Sequence, residues 1–202
     1  MKKIVLASNN PGKLREFASL FEPLGIELVP QGMLGVSEAD EPHVTFIENA
    51  LAKARHASAA TGLPALADDS GLCVPVLGGA PGVYSARYAA LAGHAKSDAA
   101  NNRHLIEQLA GHVGPNYRDA YYFAALVLVR HAEDPQPMIA EGRWDGEIID
   151  EARGAHGFGY DPHFLIRSLG QTAAELDPEV KNSHSHRARA LKQLLEKLSR
   201  EA

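Results

Sequence analysis

Ala65-Leu66-Ala67-Asp68-Asp69-Ser70-Gly71 sets a short apolar run directly against two carboxylates, a hydroxyl and a glycine. The apolar half reads as a buried strand, and Gly71 as the turn that ends it. Asp68 and Asp69 then stand at a strand's C-terminal edge, where open α/β sheets gather their ligands. Consecutive residues of an extended segment point to opposite faces, so the two carboxylates are set for different tasks. Neighbouring carboxylates beside a core strand repel unless a cation or a proton intervenes, and a divalent metal answers that need. The plain alternative is one Asp capping a turn beside a solvated partner.

The chain around this run has 202 residues, 45% of them hydrophobic, enough for one large or two small packed lobes. It holds no apolar run of about 18 residues, so no membrane span is expected. The N-terminal run lacks a signal-peptide pattern and reads as a first strand. Cys73 is the single cysteine, which excludes a disulfide framework or a thiolate cluster and fits a reducing cytoplasm. A net charge of −5 argues against a nucleic-acid-binding surface. A polyanion would then need a local nest of Lys and Arg, or a metal.

Toward the N-terminus, Lys3 to Ala7 predicts a strand. Leu14, Phe17, Leu20 and Phe21 follow at helical spacing, with Lys13, Arg15 and Glu16 among them. Ser8 to Lys13 is thus a strand-to-helix turn offering a hydroxyl, two amides and a lysine to an anion, though without Walker A spacing. Ile26 to Val29 predicts a second strand, and Gln31 to Val44 a polar loop carrying Glu38, Asp40 and Glu41. Thr45-Phe46-Ile47-Glu48 has the form of a capping box opening a helix to about Ala60. Phe46, Ile47, Ala50, Ala54 and Ala57 share one face of it. Lys53 falls at the edge of that face, one turn after Asn49, free either to snorkel to solvent or to reach a cleft beside the next strand.

Beyond Gly71, Gly78-Gly79-Ala80-Pro81-Gly82 reads as a loop and Ser97 to Leu109 as a helix with Leu105, Ile106 and Leu109 buried. Asp119 to His131 is the longest β-like run. Met138 to Trp144 and Gly146 to Ile149 read as antiparallel neighbours joined by a tight Asp145-Gly146 turn. Alternating helices and strands followed by a meander predict a mixed sheet. Gly154-Ala155-His156-Gly157-Phe158-Gly159-Tyr160-Asp161-Pro162 is a glycine-rich loop in which Phe158 or Tyr160 is either offered to a flat ligand ring or plugged into the core. Near the end, His184 and His186 lack a third zinc ligand at a convincing spacing. Lys181 to Arg187 reads better as a cationic segment with Ser185 as N-cap of a final helix, its stripe Ala188, Leu191, Leu194, Leu195 and Leu198. Lys181 and Arg187 there suit a phosphate or an electron-rich base edge.

Taken in order, Ser8-Asn9-Asn10-x-x-Lys13, Thr45-Phe46-x-Glu48-Asn49-Ala50, Asp68-Asp69-Ser70-Gly71, Gly78 to Gly82 with Ser85-Ala86-Arg87-Tyr88, Phe158 to Pro162 and Ser185-His186-Arg187 resemble one family. It is the inosine triphosphate pyrophosphatase family, the bacterial XTP/dITP diphosphatases, and the likeness runs from about residue 3 to 198. The resemblance implies a single α/β domain over 1–202, with two lobes around a long twisted mixed β-sheet flanked by helices. It also implies a cytoplasmic homodimer and hydrolysis of ITP, dITP and XTP to the monophosphate and pyrophosphate, with one or more Mg²⁺ per subunit. By the same resemblance, Ser8, Asn9, Asn10 and Lys13 cradle the triphosphate, and Glu41 and Asp69 hold metal. Asp69 is also the proton acceptor with Asp68 its partner, Lys53 lies on the phosphate side, and Ser70 contacts substrate. Phe158, Gly159, Tyr160 and Asp161 form the base pocket with Lys181, His186 and Arg187. Ser8 stands where a threonine is frequent in the family, and either supplies the hydroxyl.

Charge agrees with that assignment: Glu41, Asp68 and Asp69 would repel a triphosphate unless Mg²⁺ bridged them, with Lys13 and Lys53 offsetting the rest. Asp40 rivals Glu41 as ligand, and sequence leaves the division of roles between Asp68 and Asp69 open. Arg187, with donors only, suits a 6-oxo purine over 6-amino adenine. Three rivals stand beside this reading: a pyrophosphatase for pyrimidine triphosphates, a non-catalytic nucleotide sensor, and a nucleic-acid-binding module led by the basic C-terminal segment.

Overall fold

The computed structural model describes residues 3–21 and 25–201, with the side chains of Glu16, Ser19, Leu20 and Glu201 outside the described set. Seven strands form one sheet in the order β2-β1-β3-β4-β5-β6-β7. They are β1 (Lys3–Leu6), β2 (Glu27–Pro30), β3 (Ala65–Cys73), β4 (Asp119–Val129), β5 (Met138–Ile148), β6 (Phe164–Ile166) and β7 (Gln171–Thr172). The helices are α1 (Pro11–Phe21), α2 (Phe46–Thr61), α3 (Tyr88–Leu91), α4 (Asp98–Leu109), α5 (Pro178–His184) and α6 (His186–Glu201). β1 runs parallel to β2 and β3, whereas β5, β6 and β7 pair antiparallel, so the sheet is mixed as its pattern predicts.

Two compact units share the chain. The first comprises Met1–Asp69, Ala124–Gly142 and His186–Ala202. β1 and this unit's parts of β3 and β4 are buried on both faces. Ile4, Leu6, Leu66, Leu126 and Leu128 pack with Phe17 and Phe21 of α1 and with Ala190, Leu191 and Leu194 of α6. The alternate residues Val5, Ala65, Ala67, Val127 and Val129 meet Ala50, Ala54 and Ala57 of α2. Alanines on that helix face let it lie close to the strands. The side chain of Leu20, expected in the α1 stripe, falls outside the described residues.

The second unit comprises Ser70–Phe123 and Arg143–Ser185. Leu72, Val74, Tyr122, Trp144 and Phe164 form its core with Leu105 and Leu109 of α4. Phe164 has no exposed surface and meets the rings of Tyr122 and Trp144 at 4.6 and 5.7 Å. Burying such a ring contributes roughly 1.5–3 kcal/mol before ring geometry is counted.

Four sequence expectations need correction. Gly71 does not end its strand, because β3 continues to Cys73. A Cβ at Gly71 would lie 2.3 Å from the Gly82 carbonyl and 2.4 Å from Ser85 Oγ, so the glycine admits another backbone. Asp145-Gly146 is likewise no turn but part of the unbroken β5, where Gly146 leaves room for the Leu165 carbonyl. α1 starts at Pro11, so Lys13 belongs to its first turn rather than to the loop. Lys181 to His184 is helical, in α5, whose N-cap Asp177 accepts from the Glu179 amide and whose first residue is Pro178.

Candidate active site

The site is built from the carboxylates of β3. β1 pairs with β3 only as far as Leu66, so Asp68 and Asp69 extend beyond that register while remaining extended. Being consecutive in a strand, they face opposite ways and meet different partners. Asp68 has a fully buried side chain whose Oδ2 accepts from Lys13 Nζ at 2.8 Å and from Arg187 Nε at 3.2 Å. Burial by itself would raise its pKa. The Lys13 ammonium and the Arg187 guanidinium outweigh burial and hold the carboxyl well below the usual carboxylate range. Lys13 is itself pulled down by burial, against the attraction of Asp68.

Each cation is aimed by its own element. Asn10 caps α1, its Oδ1 accepting from the amides of Gly12 at 2.9 Å and Lys13 at 3.2 Å, while Ser8 Oγ accepts from the Asn10 amide. Two backbone N–H groups at this helix start, those of Gly12 and Lys13, are therefore already occupied by Asn10. Ser8 is half-buried and Asn9 exposed. Arg187 lies at the start of α6, which closes on β5 because residue 142 is glycine. A Cβ there would sit 1.9 Å from the His186 carbonyl oxygen. His186 and Arg187 are both buried.

Asp69 accepts from Lys53 Nζ at 2.8 Å through Oδ1, and from Asn49 Nδ2 at 3.4 Å through Oδ2. Burial raises its pKa in spite of Lys53. Lys53 also donates to Glu41 Oε1 at 2.7 Å and to the Asp68 carbonyl at 3.0 Å. Burial disfavours its charge, but Asp69 and Glu41 more than restore it, raising its pKa. The lysine thus reaches inward instead of snorkelling. Between the rivals in the preceding loop, Glu41 is the carboxylate that meets Lys53, and Asp40 is exposed. Asn49 fixes that loop from the capped helix: its Oδ1 accepts from the His43 amide and its Nδ2 donates to the His43 carbonyl. The sequence marks Asn49 one turn before Lys53 on the same edge but assigns it no role, because its partners lie in the preceding loop and on β3.

Glu41 and Asp69 therefore place two hard oxygens within 2.8 Å of one point, Lys53 Nζ. The described residues gather no group of three His, Cys, Asp or Glu ligands. Two carboxylates still fit Mg²⁺, which is commonly held by one or two of them, with waters and substrate phosphates completing its octahedron.

In the second unit the glycine-rich loop is organised by Asp161. Its buried carboxylate accepts from Lys181 Nζ at 2.7 Å and from the Phe158 amide at 2.9 Å. Gly157 adopts φ +77°, and a Cβ there would meet Asp161 Oδ2 at 2.1 Å. Phe158 is half-buried with Lys181 Nζ 5.2 Å from its ring centroid. Tyr160 is not presented to solvent. It is 3% exposed, sits in the core, and donates its hydroxyl to the Ser85 carbonyl at 2.8 Å. An aromatic flanked by a glycine and an Asp-Pro pair has no local reason to point inward; the reason lies in the distant Ser85. Ser70 is half-buried in β3. His184 Nδ1 lies 3.0 Å from the Val180 carbonyl, within its own helix.

A cavity of about 440 Å³ in this unit is lined by Tyr121, Arg143, Asp145, Arg167 and Ser168 among others, and by none of the predicted site residues. Its arginines already face Asp119, Asp145 and Glu147, so it offers a polyphosphate little net charge.

A family model described as the Ham1 family matches residues 4–197. The chain is 72% identical over 196 residues to a dITP/XTP pyrophosphatase of Burkholderia pseudomallei, covering 97% of this chain and 93% of that one. It is 67% identical to a dITP/XTP pyrophosphatase of Ralstonia nicotianae, covering 98% and 97%. Among solved structures, a HAM1 protein from Coxiella burnetii superposes with a TM-score of 0.90 at 46% identity, covering both chains in full.

Proposed function

Because the chain belongs to the Ham1 family and is thereby a hydrolase of nucleoside triphosphates, we propose that it converts ITP, dITP and XTP, with Mg²⁺, to the monophosphate and pyrophosphate. The observation that carries this reading is the convergence of Glu41 and Asp69 on one cation position while Asp68 is committed elsewhere. Glu41 and Asp69 would hold Mg²⁺, which would supply positive charge against the polyphosphate tail and polarise water.

The two aspartates divide the work by environment. Asp68, paired with Lys13 and Arg187 and strongly acidic, is a poor proton acceptor and serves as the anchor that holds both cations in place. Asp69, whose proton affinity burial has raised, takes the proton from the attacking water as its oxygen bonds to phosphorus and the bond to pyrophosphate breaks. Lys13 and Lys53 balance charge along the phosphates. The guanidinium of Arg187 carries donors only, so it suits the 6-oxo group of hypoxanthine or xanthine and opposes the 6-amino group of adenine. A cytoplasmic homodimer belongs to the same reading and is carried by the family resemblance.

The test is pyrophosphate release from ITP, XTP, dITP, GTP and ATP, each with Mg²⁺ and with excess EDTA. Release from the deaminated purines only, abolished by EDTA, is the expected result. Equal rates with ATP, or rates indifferent to EDTA, would sink it.

A further inference from the structure

The base-side loop is held by a helix that neither motif nor resemblance singles out. Gly159 adopts φ +64°, and both of its backbone polar groups are engaged by side chains of α4. Its amide donates to Asp98 Oδ2 at 2.7 Å, and its carbonyl accepts from Asn102 Nδ2 at 2.9 Å. Asp98 and Asn102 are four residues apart on the first turns of one helix, so they project side by side. One grips the peptide between Phe158 and Gly159, the other the peptide between Gly159 and Tyr160. Neither peptide plane can rotate without losing a bond, and the Asp98 bond is charge-assisted.

The helix that carries the pair is itself well fixed. Ser97 caps α4, accepting from the Ala100 amide, and Leu105 and Leu109 are fully buried in the core of this unit. Asn102 is 8% exposed, and its amide must present nitrogen to the Gly159 carbonyl, since the flipped amide would set oxygen against oxygen. The grip therefore joins a rigid element to the one glycine between the half-buried Phe158 ring and the buried Tyr160 ring.

We propose that Asp98 and Asn102 are positioning residues for base recognition: by clamping both peptides of Gly159 they fix the orientation in which the Phe158–Asp161 loop meets the purine. The inference rests on the proposed function and adds to it a second layer of specificity, acting through the loop and touching no substrate. Removing either side chain frees the loop to sample other conformations. Ordering it again then opposes substrate binding, so the loss falls on KM and on the choice between bases more than on kcat.

The experiment is steady-state pyrophosphate release from ITP and ATP, with Mg²⁺, for the full chain and for Asp98→Ala, Asp98→Asn and Asn102→Leu, beside a thermal melt of each. Asp98→Ala and Asn102→Leu are expected to raise KM for ITP about tenfold, to change kcat less than about threefold, and to lower the ITP-over-ATP ratio of kcat/KM. Asp98→Asn keeps an acceptor oxygen for the Gly159 amide and is expected to recover most of the loss. Should Asn102→Leu fail to fold, the exposed Asp98 pair of variants carries the test alone. Unchanged KM and unchanged base preference in folded Asp98→Ala overturn the inference, as does a loss confined to kcat. A wild-type chain without preference for ITP overturns the proposed function itself, a result distinguishable from the first two.

Discussion

Adjacent aspartates of one strand end in opposite electrostatic states because each faces a different set of cations. For Asp69, burial wins over Lys53 and the carboxyl gains proton affinity; for Asp68, Lys13 and Arg187 win over burial. On the proposed mechanism, Asp69→Asn removes the proton acceptor and one of the two carboxylates that meet Lys53 while keeping shape. Turnover of ITP should fall by at least about 10²-fold with an unchanged thermal midpoint, and near-parent turnover would rule out the role. Asp68→Asn behaves differently, because it takes away the carboxylate charge that two buried cations share. Its urea-unfolding free energy should drop by about 3–5 kcal/mol, the usual cost of removing one partner from a buried pair. A drop below about 1 kcal/mol, the range of an exposed pair, would show that Lys13 and Arg187 relax to other partners.

Strands and helices take their positions here from a few glycines and one buried turn. Gly142 in β5 is the case with the clearest consequence, since a Cβ there would lie 1.9 Å from the His186 carbonyl and 2.6 Å from the Ala190 amide. Gly142→Ala should therefore push the start of α6 off the strand, lower stability by about 1–3 kcal/mol as overpacking does, and disturb Arg187 with it. Unfolding free energy and ITP turnover that both match the parent would refute that packing role. The β4–β5 connection depends on Asp134, a buried carboxylate that accepts from the amides of Arg130 and Gln136 and from the Arg130 guanidinium. The Arg130 hydrogen bonds hold its pKa well below the usual carboxylate range. Its folded pKa being depressed, its contribution is present above about pH 4, the unfolded value, and fades as pH falls through the folded one. Asp134→Asn should thus cost about 1.5–3 kcal/mol at pH 7, with the gap from the parent closing in urea titrations near pH 2. Local sequence spoke clearly where the cause was local: the Thr45–Glu48 box opens α2, with the Glu48 amide donating to Thr45 Oγ1, and Ser97 opens α4. It misread Gly71 and Gly146 as turns because a glycine that admits a distant backbone looks the same in sequence as one that bends its own.

Across the whole molecule, alternation and meander were enough to predict a mixed sheet. Where the long side chains end was not legible. Lys53, Arg187 and Lys181 each find a carboxylate 12, 119 and 20 residues away in sequence, and no local pattern encodes such distances. The expectation of one domain over 1–202 meets a chain of two compact units, yet β3, β4 and β5 each contribute residues to both. Three shared strands make it costly for one unit to unfold while the other keeps its hydrogen bonds, so a single cooperative transition is expected. Ligand binding that engages Glu41, Asp69 and Lys53 of the first unit should then raise the melting point of the entire chain. With Mg²⁺ and a non-hydrolysable α,β-imido analogue of ITP at about 100 times Kd, linkage supplies about 2.7 kcal/mol. For a chain of this length that corresponds to a shift of roughly 5–10 °C, since each kcal/mol moves the midpoint about 2–4 °C. EDTA should remove most of the shift, and Asp69→Asn should lack it. Two transitions of which only one moves would mean that the shared strands do not couple the units. A midpoint indifferent to Mg²⁺ in the parent would instead mean that Glu41 and Asp69 hold no metal, and Lys53 would then be their permanent counter-ion.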